Sequence, residues 1–201
     1  MLTPRRIVIG ITALFVAVVL ADWILPPPID RAGDISALVT DREGRPLRAF
    51  PTEDGRWRFQ GDLDKIDPEF IEALVRVEDK RFYTHRGTDW AGLGRAVIDS
   101  VKAGRVVSGG STLTMQTARM LEPRDRNVGS KLIEIARAWQ IERRLSKDEI
   151  LELYLTLTPY GGNLEGVRAA SWSYFGHEAD RLSDDEIALL IALPQSPDVR
   201  R

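Results

Sequence analysis

Helix start and stop signals recur from Asp67 to Pro194, and no other feature of the chain limits its fold as tightly. Asp67-Pro68-Glu69 supplies an N-cap acceptor, a proline at the first helical position and an acid in the first turn. Phe70, Ile71, Leu74, Val75 and Phe82 follow at helical spacing and predict a first helix. A second is predicted over 89–103, with Trp90, Leu93, Val97, Ile98 and Val101 turned inward and Gly104 as its stop. Ser111-Thr112 opens a third, which Pro123 ends. A fourth covers roughly 128–145, with Leu132, Ile135, Ala136 and Trp139 on one face. Ser146-x-x-Glu149 is a capping box for a fifth through Leu157. Gly161-Gly162 breaks the chain before a sixth over 164–175, closed by Gly176, and Ser183-x-x-Glu186 caps a seventh that Pro194 stops. This part of the chain, 61–201, reads as one mainly α domain.

The texture upstream differs. Between Ile35 and Phe59, short runs such as ISALVT, RPLRAF and RWRF alternate with Gly-containing turns, so a small β-element is predicted over 35–60. Trp57 and Phe59 read as packing residues. Before it, Arg5-Arg6 precedes an apolar run from Ile7 to Leu25 whose single charge is Asp22. About twenty apolar residues span a bilayer as a helix. The flanking arginines predict a cytoplasmic N-terminus, a single-pass anchor in the inner (cytoplasmic) membrane and the remainder on the periplasmic, extracytoplasmic side. A cleaved signal peptide is the competing reading, with Val19-Leu20-Ala21 as a processing site; against it, the apolar run continues through Trp23, Ile24 and Leu25. A buried soluble helix fits less well, because Pro26-Pro27-Pro28 ends the segment as a stiff linker, so 1–28 is read as tip, anchor and linker.

Charge and composition exclude several chemistries. The net charge of −2 gives no general reason to bind nucleic acid. From Val101 to Lys147, however, ten Lys or Arg face four Asp or Glu, a local surplus of six cations inside an otherwise acidic chain. Such a segment fits an anionic ligand, or else a set of solvated helix faces. The absence of cysteine excludes thiol catalysis, Cys-zinc sites and disulfides. Only two histidines occur, His85 and His177, far apart and without an H-E-x-x-H, so no dedicated zinc site is expected.

Candidate chemistry concentrates in Val77–Leu121. Glu78 and Asp79 end an apolar helical run, where the negative end of the dipole and partial burial would raise a carboxyl pKa toward that of a base working near neutral pH. The same acids could equally be solvated and paired with Lys80 or Arg81, and His85 is within reach of either or is structural. Ser108-Gly109-Gly110-Ser111-Thr112 runs into a helix start, a geometry that attracts phosphate, although plain capping by Ser111 explains it too. Arg119, Arg124, Arg126 and Lys131 could converge on one anion. Glu134 lies three residues beyond Lys131, the spacing of an ordinary helix ion pair.

The order of these elements resembles a known family. E-D-x-x-F-x-x-H-x-G-x-D is met at Glu78, Asp79, Phe82, His85, Gly87 and Asp89, and G-G-S-T-L-T-x-Q at Gly109 to Gln116. Lys131-x-x-Glu134, Lys147-x-x-Ile150-x-x-x-Tyr154, a Gly-rich turn and AASWSYFG follow. Together they are similar to the five motifs of the peptidoglycan glycosyltransferase (family 51) domain of bifunctional penicillin-binding proteins, from about Ile35 to the end. GRVVSGGSTLTMQTARML and LPQSP are closest to its 1C branch. The resemblance implies a lysozyme-like helical fold, partly sunk in the membrane, that polymerises lipid II into glycan strands. It implies Glu78 as general base and Glu134 as a second acid near the donor pyrophosphate and a divalent metal, Mg or Mn, with no organic cofactor. Substrate binding would fall to Asp79, Phe82, His85, Ser111, Thr112, Gln116, Arg119, Arg126 and Lys131. The implied partners are lipid II, the nascent glycan strand, the membrane and other cell-wall synthesis proteins.

The sequence departs from the family pattern at Met115 (usually Gln), Arg119 (Lys), Ser130 (Arg) and Thr156 (Asn). No Ser-x-x-Lys occurs, so a penicillin-reactive serine of that type is absent, and a parent chain continuing into a transpeptidase domain is expected. Two other readings share the features. A lysozyme-like hydrolase or lytic transglycosylase needs no basic anion site, and a membrane-tethered scaffold would bind lipid II or glycan without turnover.

Overall fold

The computed structural model describes residues 24–43, 46–104, 110–125 and 127–195. It is mainly helical, as the capping signals predict. The helices are α1 (Pro68–Glu78), α2 (Trp90–Ala103), α3 (Leu113–Leu121), α4 (Val128–Glu142), α5 (Lys147–Leu157), α6 (Val167–Tyr174) and α7 (Asp184–Ala192). Asp67 caps α1 by accepting from the Glu69 N–H, and both capping boxes close, at Ser146/Glu149 and Ser183/Glu186. Each of these caps is a contact between residues two or three apart, which is why local sequence reveals it.

The core is one cluster. Phe70 and Leu74 of α1, Leu113, Ala118 and Leu121 of α3, Ile141 of α4 and Ile150, Leu151 and Leu155 of α5 are all buried. Leu190 of α7 closes it from the other side. α3 lies at the centre, packed against both α4 and α5. Phe82, predicted as part of the first helix, lies beyond its end in a turn yet is fully buried, with Lys147 Nζ 4.5 Å from its ring centroid.

Several predicted boundaries and faces are corrected. Thr112, not Ser111, caps α3, accepting from the Met115 N–H. The predicted inward face of the fourth helix is largely its outer one: Leu132 is 64% and Trp139 48% exposed, while Glu134, Ala138 and Ile141 point in. A buried glutamate on the core side inverted the apolar pattern from which the face was predicted. On α2, Trp90 and Ile98 are likewise exposed, and Trp90 meets Trp139 edge to face at 6.3 Å. The side chains of Val97 and Val101 lie outside the described residues. The predicted sixth helix begins three residues later than expected, because Leu164–Glu165 is a strand.

The predicted β-element is split between two sheets. β1 (Ala37–Thr40) and β2 (Pro46–Phe50) form an antiparallel hairpin. β3 (Trp57–Arg58) instead pairs in parallel with β5 (Leu164–Glu165), which pairs antiparallel with β4 (Pro159–Gly161). The side chains seal this long-range pairing: Arg58, 1% exposed, donates from Nε and Nη2 to Glu165 Oε2 at 2.8 and 2.6 Å. Of the predicted anchor, only Ile24 and Leu25 fall among the described residues, where no helix is long and apolar enough to cross a membrane. The Leu25 carbonyl accepts from Arg137 Nη1 at 2.6 Å and Gln140 Nε2 at 3.2 Å, so the end of that run sits on α4.

Candidate active site

Glu78 is the last residue of α1 and is half-buried. What fixes it there is its neighbour. Asp79, the C-cap, is 6% exposed, and its Oδ2 pairs with His85 Nε2 at 2.8 Å and accepts from the Leu113 backbone N–H at 3.0 Å. A carboxylate on the first N–H of a helix satisfies an orphan donor and complements the dipole. Asp79 thereby ties the end of α1, the His85 turn and the start of α3 into one unit. Thr112 completes the tie, donating from Oγ1 to the Gly87 carbonyl at 2.6 Å. Gly87 has φ +82°, and a Cβ there would stand 3.0 Å from the Ala138 backbone, so only glycine lets this turn lie against α4.

Both oxygens of Glu78 accept hydrogen bonds. Gln116 Nε2 donates to Oε2 at 2.9 Å, and Gln195 Nε2 donates to Oε1 at 2.7 Å. Burial pushes the Tyr154 phenol well above its ordinary range, and the charge of Glu78 adds to that shift, so Tyr154 stays protonated behind the carboxylate.

The second acid, Glu134, is 9% exposed on the inner face of α4. Lys131 Nζ lies 3.0 Å from its Oε2 and also donates to Ser111 Oγ at 2.6 Å, and Arg119 Nη1 is 3.9 Å from its Oε1. Lys131 thus joins the residue before the α3 cap to Glu134, and two cations converge on one buried carboxylate. Among the described residues no group of three or more His, Cys, Asp or Glu side chains is arranged to hold a metal.

A cavity of about 600 Å³ opens beside Glu78, lined also by Lys80, Arg81, Arg95, Leu93 and Ser111. Arg81 is engaged by Asp89, with Nε 3.0 Å from Oδ2. Desolvation pushes the Asp89 carboxyl up, but the Arg81 bonds and charge and the Gly92 N–H outweigh it and hold it below the usual range. The site therefore brings together Glu78, Gln116, Arg119, Ser111, Lys131 and Glu134. Asp79, Phe82, His85 and Thr112 are built into the packing around it. Arg126 and Gly109 lie outside the described residues. Sequence reasoning did not count Lys80, Arg95 or Gln195 among the site residues. The first two adjoin recognised motifs; Gln195 lies within LPQSP, a stretch noted for its resemblance but given no role in the site.

The family departures have local explanations at two positions. Thr156 is buried, accepts from the Gly61 N–H at 2.8 Å and donates to the Glu152 carbonyl at 2.7 Å. Met115 is 1% exposed, an apolar side chain buried on the same stripe of α3 as Arg119, one turn further on.

Comparison with known proteins gives the same family. A transglycosylase family model matches residues 43–201. Penicillin-binding protein 1C of Escherichia coli is 42% identical over 92% of this chain and 24% of its own length. Penicillin-binding protein 1A of Aquifex aeolicus is 44% identical over 70% and 19%. A biosynthetic peptidoglycan transglycosylase of Acinetobacter baylyi is 40% identical over 71% and 62%. The chain thus spans about a quarter or less of these two penicillin-binding proteins. With a family match over most of the sequence and a mainly helical domain to carry it, this chain belongs to the transglycosylase family.

Proposed function

We propose that this domain is a peptidoglycan glycosyltransferase that polymerises lipid II into β-1,4-linked glycan strands and releases polyprenyl pyrophosphate. The observation that carries the reading is the pairing of two unlike acids across α3. Glu78 is held by neutral amides beside an open cavity, whereas Glu134 is buried between two cations.

On this reading Glu78 removes the proton from the 4-hydroxyl of the acceptor GlcNAc as that oxygen attacks C1 of the donor sugar. The C1–O bond to the pyrophosphate breaks on the opposite face, with inversion. The electron pair leaves on the pyrophosphate, whose growing negative charge needs stabilisation more than any other group in the reaction. Arg119 and Lys131 are the cations available for it, and Glu134 holds them in place until the anion arrives. Among the described residues Glu134 is the one carboxylate of that cluster and it already faces two cations, so it would offer a divalent ion such as Mg or Mn a single carboxylate ligand; the ion, when bound, would supply further charge neutralisation.

The substrates are then lipid II and the nascent strand. A lipid-linked substrate agrees with an anchor at 7–25 and a catalytic domain on the extracytoplasmic side, working beside other cell-wall synthesis proteins. The test is labelled lipid II incubated with the protein, with and without divalent metal, and resolved by product length. Glycan polymer is the expected product. Degradation of preformed glycan instead would identify a hydrolase or lytic enzyme, and binding without either product a scaffold.

A further inference from the structure

Glu78 accepts a second hydrogen bond from a side-chain amide, which the reaction as written does not require. Gln116 reaches Oε2 from α3, within the motif region. Gln195 reaches Oε1 from the 3-10 turn Leu193–Gln195 that follows α7, 117 residues away in sequence. Its side chain is exposed, but its placement is not loose. α7 packs along α1 through buried Ile187, Leu190 and Ile191, and the turn itself packs against β4. Pro194 restricts the backbone immediately before it.

A carboxylate oxygen has two lone pairs, so one donor on each oxygen leaves capacity on both for an incoming hydroxyl proton. Two amides on opposite oxygens also fix the plane of the carboxyl group. Both donors are neutral, so they orient the carboxylate without placing a cation against it. We infer that Gln195 is a positioning residue for Glu78, which with Gln116 clamps the carboxylate in the orientation that accepts the proton. The inference rests on Glu78 being the general base. It also makes the end of α7 part of the active site.

The test compares Gln195→Met and Gln195→Glu, which keep the side-chain length but cannot donate, with Glu78→Gln measured alongside. Steady-state polymerisation of lipid II by the purified protein should show kcat lowered about tenfold for Gln195→Met, and further for Gln195→Glu, with KM within about twofold. The melting temperature should be unchanged, because Gln195 is exposed. A space-filling role predicts native kcat in both variants. That result, with Glu78→Gln inactive, overturns the inference and leaves the base in place. Near-native Glu78→Gln overturns both. A raised KM at unchanged kcat would make Gln195 a substrate contact, and a raised kcat would make it a plug; either overturns the positioning role.

Discussion

Gln116 donates to Glu78, and three residues further along the same helix Arg119 faces Glu134. One surface of α3 therefore holds a partner for each acid, which sets apart the tasks of the two glutamates. Glu78→Gln should lower the initial rate of lipid II polymerisation by about 10²- to 10⁴-fold, the usual worth of a general base. Glu134→Gln should be milder and partly rescued by added divalent ion. Rates for both variants across metal concentration decide it, and near-native turnover of Glu78→Gln would remove the base assignment.

Lys131 links Ser111 to Glu134 at hydrogen-bond distance from each. Lys131→Met and Arg119→Ala should each weaken binding of lipid II by about tenfold, the value of one charge-assisted hydrogen bond. Neither side chain is fully buried, so the melting temperature should move little. Equilibrium binding measured beside thermal melts checks the pair, and unchanged affinity in both would reduce these cations to ordinary surface charges.

Arg58 and Glu165 form a buried pair between β3 and β5. Arg58→Met leaves the Glu165 carboxylate buried without its bidentate partner and should cost about 3–5 kcal/mol in denaturant unfolding. Arg58→Met combined with Glu165→Leu should recover much of that loss, because no buried carboxylate is left without its partner and Arg31 and Arg56, which also face Glu165, are exposed enough to be solvated. A double variant as unstable as the single one would mean that the pair specifies the strand register and does more than neutralise charge.

These residues show where sequence reading reaches and where it stops. Asp67, Ser146 and Ser183 announced their helices because a cap is settled within a few residues. The inward face of α4 was misread because Glu134 and Ala138 occupy it while Leu132 and Trp139 face out, a pattern that runs against the apolar period. The β3–β5 pairing and the Gln195 contact join segments more than a hundred residues apart, and only the assembled core decides such pairings. The candidate site was legible as a set of motifs. That Asp79 and Thr112 hold it together from beneath was not.

His177 offers a pH test. The Glu178 carbonyl beside Nδ1 and the Glu186 carboxylate beside Nε2 hold its pKa above the ordinary value. A histidine raised on folding stabilises fully below its unfolded pKa, and that contribution disappears as pH rises through the higher folded one. The difference in melting temperature between the wild type and His177→Ala should therefore be largest in mildly acidic buffer and shrink above about pH 6.5. A difference that is constant from acid to alkaline pH would assign His177 a packing role only.

The N-terminal run makes its own prediction. Because the apolar residues outlast Ala21, protein extracted from membranes should begin at or near Met1. N-terminal sequencing that starts at Asp22 would establish cleavage instead.

The placement of Gln116 and Arg119 on a single helix has a mechanical consequence. Three residues of α-helix advance about 4.5 Å, a spacing set by backbone hydrogen bonds and indifferent to what is bound. On the proposed function α3 works as a gauge: the partner of the proton acceptor and the cation that meets the departing charge are held in register by the pitch of one helix. Lengthening or shortening that helix by a single residue between Gln116 and Arg119 would rotate one about 100° away from the other, and polymerisation should be lost although both side chains remained.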